Sequence, residues 1–307
     1  MRVAGLVSLV TLGLLLAGCG GEEKNGVSEP TTTASDEVAA PAWAVPTLSK
    51  PGPESALVMA SSDFATGDNR VAFLLIRDDG SAVEAPTLSV SYEPTEGAPV
   101  RTTEARLVPL GAEGAEPGDV TSVYVAELDE LATGKRWMLV EPPTEQLQGF
   151  QILDVKAKSI TPAIGDHAPR SQNPTLATAA AEKITTARPP DLELLRHTVA
   201  DSIDAGIPFV VVFATPQFCQ TRACGPTVDV VEAARKRFTD REVRFIHIEI
   251  YVNNTPGEGV NRWVREWKLP SEPWIFVVDA KGVIRDKFEG AVAADEIEVA
   301  VRSVLRS

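Results

Sequence analysis

The sequence is short of positive charge. It carries 29 Lys and Arg residues against 43 Asp and Glu residues, so its formal net charge is −14 over 307 residues. Nucleic-acid binding needs clustered basic side chains that neutralise phosphates, and anionic membrane surfaces attract the same clusters. We therefore expect no nucleic-acid partner and no electrostatic attachment to an anionic membrane.

Motifs of several catalytic classes are also missing. The sequence has no Gly-rich phosphate loop, no Gly-x-Ser-x-Gly motif, no His-Glu-x-x-His pair and no Cys-x-x-Cys doublet. The first three of these patterns supply phosphate-binding amides, a serine nucleophile and zinc ligands, respectively. We expect no cofactor and no bound metal. The length, with 44% apolar and 23% charged residues, is typical of two soluble globular domains.

The pronounced apolar run near Met1 is shorter than a membrane-spanning helix requires. It covers Val3 to Leu16, follows Arg2, and ends in Leu16-Ala17-Gly18-Cys19. This pattern predicts a signal peptide at residues 1–18 rather than a buried core helix. Leu-Ala-Gly-Cys resembles the lipobox of bacterial lipoproteins, which implies cleavage before Cys19 and a diacylglycerol thioether on its sulfur. Two acyl chains anchor a protein stably, so we expect a lipid-anchored protein on the extracytoplasmic face of the cell membrane.

Two segments with different patterns follow the lipobox. Residues 19–50 show no sustained periodicity and predict a disordered tether. Residues 51–155 contain short β-type runs separated by turn residues such as Asp78-Asp79-Gly80 and Glu96-Gly97. Six or seven strands at this spacing predict a β-sandwich of immunoglobulin-like architecture, without the disulfide of true immunoglobulin domains.

A Pro-rich connector covers residues 156–190, and an α/β pattern covers residues 191–307. Gly165-Asp166-His167-Ala168-Pro169 resembles the segment that precedes extracytoplasmic thioredoxin-like domains. From Asp191, a candidate N-cap, apolar periodicities predict the order α-β-α-β-α-β-β-α.

Two cysteines lie between the first strand of this pattern and its helix. Cys219 and Cys224 follow the apolar strand, and the next helix is predicted to run from Pro226 to Phe238, with the proline in its first turn. With this order, residues 190–307 resemble the thioredoxin fold. Ser271-Glu272-Pro273, directly before the third strand, matches the place where that family carries a cis-proline against its redox cysteines. The resemblance implies that Pro273 belongs to the site and that Glu272 borders a substrate groove.

The cysteine pair allows thiol–disulfide exchange, with Cys219 attacking and Cys224 resolving the mixed disulfide. The partner would then be a protein thiol or disulfide. Four residues separate the two cysteines here, whereas the family's usual spacing is Cys-x-x-Cys. A permanent disulfide that pins the loop of a non-catalytic binding module therefore stays an alternative.

Copper handling is a third hypothesis, because copper chaperones of cytochrome oxidase assembly share the fold and two thiolates with a histidine suit Cu(I). The candidate ligand His247 lies in the middle of a strand, which favours a structural role. Glu249 is either a buried carboxylate that accepts a proton from Cys224 or an acid exposed at a strand end.

Overall fold

The computed structural model describes residues 55–109, 121–144, 147–219, 223–240 and 242–306. All of them belong to one compact unit. The predicted signal peptide, the predicted lipidation site at Cys19 and the predicted tether lie outside the described residues. In the described part of the chain, no helix combines the length and the apolar character needed to cross a membrane.

The N-terminal half of the described chain forms seven strands. Each β-type run predicted there coincides with a strand, and every pairing between these strands is antiparallel. The strands are β1 Ser55–Met59, β2 Gly67–Arg77, β3 Thr87–Tyr92, β4 Arg101–Pro109, β5 Ser122–Leu131, β6 Gly134–Glu141 and β7 Gly149–Val155.

These strands form a single sheet in the order β1-β2-β5-β4-β3-β6-β7. The sheet curls until its edge strands meet: the Ser55 hydroxyl donates to the Gln148 carbonyl at 2.7 Å, and Gly149 approaches Leu57. Curvature, rather than a second sheet, encloses the apolar core around Phe73 and Tyr124. An antiparallel β region is confirmed, but the two-sheet immunoglobulin-like sandwich is not.

The connector lies along the C-terminal sheet. Its Gly165 and Ala168 amides donate to the carbonyls of Ile284 and Gly282, each at 2.9 Å. A short helix, α1 (Ala181–Ile184), lies in the connector. The connector therefore belongs structurally to the C-terminal region.

The C-terminal region has the strands β8 Phe209–Phe213, β9 Arg244–Ile248, β10 Trp274–Val278 and β11 Ile284–Glu289. They form a four-stranded sheet in the order β11-β10-β8-β9, in which β8 and β9 are parallel and the other pairs antiparallel. This order, with the helices between the strands, is the predicted thioredoxin-like architecture. The helices are α2 Val199–Ala205, α3 Cys224–Arg235, α4 Arg262–Glu266 and α5 Ala294–Val304.

Strand β8 is apolar throughout because both of its faces are covered. Val210 and Val212 pack in a cluster with residues of α3 and α5. Phe209, Val211 and Phe213 pack on the other face with Trp267 and Trp274. A strand buried on both faces shows a continuous apolar run instead of alternating polar and apolar residues, and this run predicts β8 from the sequence.

Two helix predictions need correction. The helix expected after Asp191 is divided into a 3₁₀ turn, Leu192–Leu195, and α2, which Thr198 caps separately. Helix α3 begins at Cys224 and not at Pro226. Proline is tolerated anywhere in the first turn, because the first amides of a helix have no intrahelical acceptor. Cys224 is therefore the first residue of α3.

The two sheets meet in a mixed apolar and charged junction. Ala72 and Val125 of the N-terminal sheet pack with Ala291, which follows β11. At the edge of this cluster, Arg70 binds Glu296 of α5 at 3.1 Å and donates to the Ala291 carbonyl at 2.9 Å. The junction holds the end of β11 against the N-terminal sheet.

Candidate functional site

The cysteines lie where β8 leads towards α3. After β8 the chain turns, and the Phe218 and Cys219 amides both donate to the Thr215 carbonyl, at 3.2 and 3.1 Å. Residues 220–222 lie outside the described residues, and α3 then begins with Cys224. The end of an inner strand and the first turn of a helix thus hold the two cysteines.

The two sulfurs are in contact, and they differ in exposure. Both cysteines are free thiols, Cys219 is partly exposed, and Cys224 is fully buried with 0% exposure. Their side chains are hydrogen-bonded to each other. Solvent and a partner molecule can therefore reach Cys219, whereas Cys224 is shielded from both.

The environment of Cys224 keeps its thiol protonated. Burial raises the pKa of Cys224 far above its usual range, and the hydrogen bond with Cys219, the charge of Cys219 and the charge of Glu272 act in the same direction. A hydrogen bond from the Thr215 amide opposes them. Since the thiolate is the nucleophile, Cys224 is inert at neutral pH until its surroundings change.

The loop before β10, which we call the proline loop, consists of Ser271, Glu272 and Pro273 and lies beside the cysteines. The Glu272–Pro273 peptide is cis, which is the geometry that the resemblance implies, and Pro273 is buried. Trp274, the next residue, pairs with Phe213 at the end of β8, so the loop before β10 lies beside the loop after β8. Burial, the charge of Cys219 and the charge of Glu249 raise the pKa of Glu272. A carboxyl that holds its proton more readily therefore accompanies the accessible thiol.

Two aromatic residues complete the site, and the sequence interpretation assigned no role to either. The rings of Phe218 and Tyr251 meet edge to face with their centroids 6.4 Å apart. Burial raises the pKa of Tyr251, and the charges of Glu272 and Cys219 raise it further. Their positions in the sequence could have pointed to them, because Phe218 directly precedes a cysteine and Tyr251 follows the end of the strand beside β8.

Glu249 is buried, at 5% exposure, so the interpretation of an acid exposed at a strand end is wrong. Its carboxylate accepts hydrogen bonds from the Thr186 amide and hydroxyl, both at 2.8 Å. The Thr186 oxygen in turn accepts from the Gln217 amide at 3.2 Å. Glu249 therefore supports the loop that leads to Cys219, and Glu272 is the carboxylate that raises the pKa of Cys224.

His247 has a structural role, as its position in the strand predicted. It is 3% exposed, its Nε2 donates to the Ala214 carbonyl at 3.0 Å, and its Nδ1 accepts from the Thr185 hydroxyl at 3.3 Å. Both ring nitrogens are thus occupied by protein partners. Within the described ranges, no three or more His, Cys, Asp or Glu side chains are grouped so that they could hold a metal ion.

Comparison with known proteins gives structural likenesses alone. No protein-family model and no curated protein sequence matches the chain. A Chlorobium tepidum structure provisionally described as the thiol:disulfide interchange protein DsbE is 14% identical, with a TM-score of 0.34, and the match covers 47% of this chain and 99% of that one. A thiol:disulfide interchange protein of the thioredoxin family from Chlorobium tepidum TLS is 16% identical, with a TM-score of 0.31, and the match covers 47% and 96% of the two chains.

Proposed function

We propose that the protein exchanges thiols and disulfides with a protein partner through Cys219 and Cys224. The observation that carries this proposal is the pairing of a partly exposed thiol with a fully buried one, in hydrogen-bond contact, next to Pro273. Exchange needs an accessible attacking sulfur and a second sulfur within its reach. This arrangement supplies both.

The chemistry proceeds in two displacements. The Cys219 thiolate attacks one sulfur of a partner disulfide, the partner's S–S bond breaks, and its other sulfur leaves as a thiolate that takes up a proton. Cys224 then loses its proton and attacks the Cys219 sulfur, which releases the second partner thiol and leaves a Cys219–Cys224 disulfide. Two electrons pass to the partner, and the reverse sequence oxidises a partner dithiol.

The proton of Cys224 must leave before the second displacement. Glu272 is the carboxyl whose charge acts on Cys224, and burial together with the charge of Cys219 raises its pKa. A carboxyl with a raised pKa exchanges protons closer to neutrality than an ordinary one. We assign Glu272 the role of proton acceptor in this step, in addition to its place at the rim of the groove.

A redox titration tests the proposed exchange against a permanent structural disulfide. The protein is equilibrated in glutathione or dithiothreitol buffers and then alkylated. Its midpoint reduction potential should lie above about −300 mV, the range of working rather than structural disulfides. In the reduced protein, brief iodoacetamide treatment at neutral pH should label Cys219 and spare Cys224, as mass spectrometry of the peptides will show. A lower midpoint supports the structural alternative.

We also propose that Cys19 carries a lipid anchor that holds the protein at the extracytoplasmic face of the membrane. The support is the sequence itself: an apolar run after Arg2 that ends in Leu-Ala-Gly-Cys. Expressed in a bacterial host, the full chain should sediment with membranes and partition into detergent, whereas the Cys19→Ala variant should not be lipidated. Equal partitioning of both would remove the anchor from the proposal.

A further inference from the structure

One buried carboxylate joins the proline loop to the N-terminal sheet. Glu289, the last residue of β11, is 9% exposed and accepts four hydrogen bonds. The donors are the Ser62 amide at 2.6 Å, the Ser62 hydroxyl, the Asp63 amide at 3.0 Å and the Ser271 hydroxyl at 2.6 Å. A carboxylate buried to this extent is tolerable because donors surround it, and they fix its orientation.

These donors come from opposite sides of the junction. Ser62 lies in the loop between β1 and β2, which belongs to the N-terminal sheet. In sequence it is 227 residues away from Glu289. Ser271 directly precedes Glu272 and Pro273. Glu289 therefore connects a loop of the N-terminal sheet with the loop beside the cysteines.

The proline loop is held at a second and a third point. The Ser271 oxygen accepts from the Trp274 indole Nε1 at 3.0 Å. The amide of Gly290, the residue after Glu289, donates to the Pro273 carbonyl at 2.9 Å. The same short stretch of chain thus binds the loop on both sides of the cis peptide.

The partner loop of the N-terminal sheet is itself fixed. Asp63 accepts hydrogen bonds from the amides of Ile160 and Thr161, at 2.8 and 3.1 Å, and from the Thr161 hydroxyl at 2.8 Å. Burial alone would raise the pKa of Asp63, but hydrogen bonds from Ser159, Ile160 and Thr161 outweigh it and hold the pKa below its usual value. Lys287 of β11 donates to the Thr161 hydroxyl oxygen at 2.9 Å. A loop tied this closely can serve as an anchor.

We propose that Glu289 is a positioning residue that clamps the proline loop to the N-terminal sheet and so sets the distance between that loop and Cys219. The N-terminal sheet is then a structural part of the redox site and not an independent module. This inference rests on the proposed exchange activity. A displaced loop alters how a folded or peptide partner approaches Cys219, while a small disulfide reaches the sulfur without it.

Replacing Glu289 with glutamine tests the clamp. The glutamine side chain keeps the shape of glutamate, but its NH₂ group replaces one of the two acceptor oxygens. That NH₂ group would then face hydrogen-bond donors. We expect kcat/KM for a disulfide-bonded peptide to fall about tenfold, through KM, which matches the loss of one hydrogen bond to a charged group. The rate with hydroxyethyl disulfide should stay within about twofold, because this small reagent reaches the Cys219 sulfur without binding the proline loop.

Glu296→Gln is the matched control. It weakens the Arg70–Glu296 pair in the same junction, and Glu296 makes its hydrogen bonds to Arg70 and the Ala293 amide rather than to the proline loop. We expect both rates to stay at the wild-type level in this variant. If both variants raise KM equally, general loosening of the junction explains the effect and the clamp is refuted.

Ser271→Ala covers the case in which Glu289→Gln fails to fold. It removes one hydroxyl and leaves Glu289 bonded to Ser62 and Asp63, and the same increase in KM is expected. A Ser271→Ala variant with wild-type KM for the peptide would overturn the proposal.

A spectroscopic measurement separates the clamp from the exchange activity. In ¹⁵N-labelled protein, the indole N–H signal of Trp274, assigned with Trp274→Phe, should shift in Glu289→Gln and Ser271→Ala and stay in place in Glu296→Gln. An unmoved signal in the first two variants refutes the clamp. A moved signal in a protein that exchanges no disulfide supports the clamp and refutes the proposed function.

Discussion

Replacing Cys224 with serine should convert the protein into a trap for its partners. The partly exposed Cys219 still attacks a partner disulfide, but the buried thiol that would release the product is gone. The mixed disulfide should therefore accumulate, and turnover of a disulfide substrate should fall by about a hundredfold or more. Non-reducing electrophoresis followed by mass spectrometry of the linked peptide will show whether Cys219 holds the partner.

The Cys219→Ser variant is the control for this trap. It keeps Cys224, whose sulfur is shielded and whose pKa burial raises, so it should form no mixed disulfide and label slowly with iodoacetamide. Serine matches cysteine closely in size, so both variants should fold alike. If Cys224→Ser turns over normally, or if Cys219→Ser traps partners equally well, the assignment of attacking and resolving residues is wrong.

The features that the sequence predicted correctly depend on local patterns. Strand β8 is covered on both faces, so its five residues are all apolar and all buried. The cysteines follow that strand directly, and their place in the thioredoxin-like order comes from counting elements along the chain. The cis geometry at Pro273 was implied by the resemblance, because propensity alone favours trans.

The features that the sequence missed depend on partners distant along the chain. Helix α2 begins separately because Thr198 caps it and because Asn173 of the connector accepts from its Val199 amide at 2.9 Å. Alternating strands look the same whether they form one curled sheet or two stacked sheets, since pairing is non-local. In the sequence, Glu289 likewise looks like an ordinary acid at a strand end, because its partner Ser62 is 227 residues away.

Among the glycines that the structure describes, Gly290 is the one at which an added methyl group should destabilise the fold most. Its φ is +73°, a region that side chains rarely adopt, and an added Cβ would lie 2.5 Å from the Ala60 carbonyl oxygen. The positive φ costs about 1 to 2 kcal/mol for an L-residue, and forcing the two loops apart costs about 1 to 3 kcal/mol more. We expect Gly290→Ala to lower the free energy of unfolding by about 3 kcal/mol, measured by urea denaturation.

Gly97→Ala separates the two contributions, because Gly97 has nearly the same φ, +74°, with no atom within 4 Å of an added Cβ. It should lose about 1 kcal/mol, the backbone cost alone. The Gly290 amide also binds the Pro273 carbonyl, so Gly290→Ala should slow peptide-disulfide exchange even where the protein stays folded, whereas Gly97→Ala should not. Equal losses of stability in the two variants would mean that the contact between Gly290 and Ala60 is loose. The N-terminal sheet could then not hold the proline loop in place.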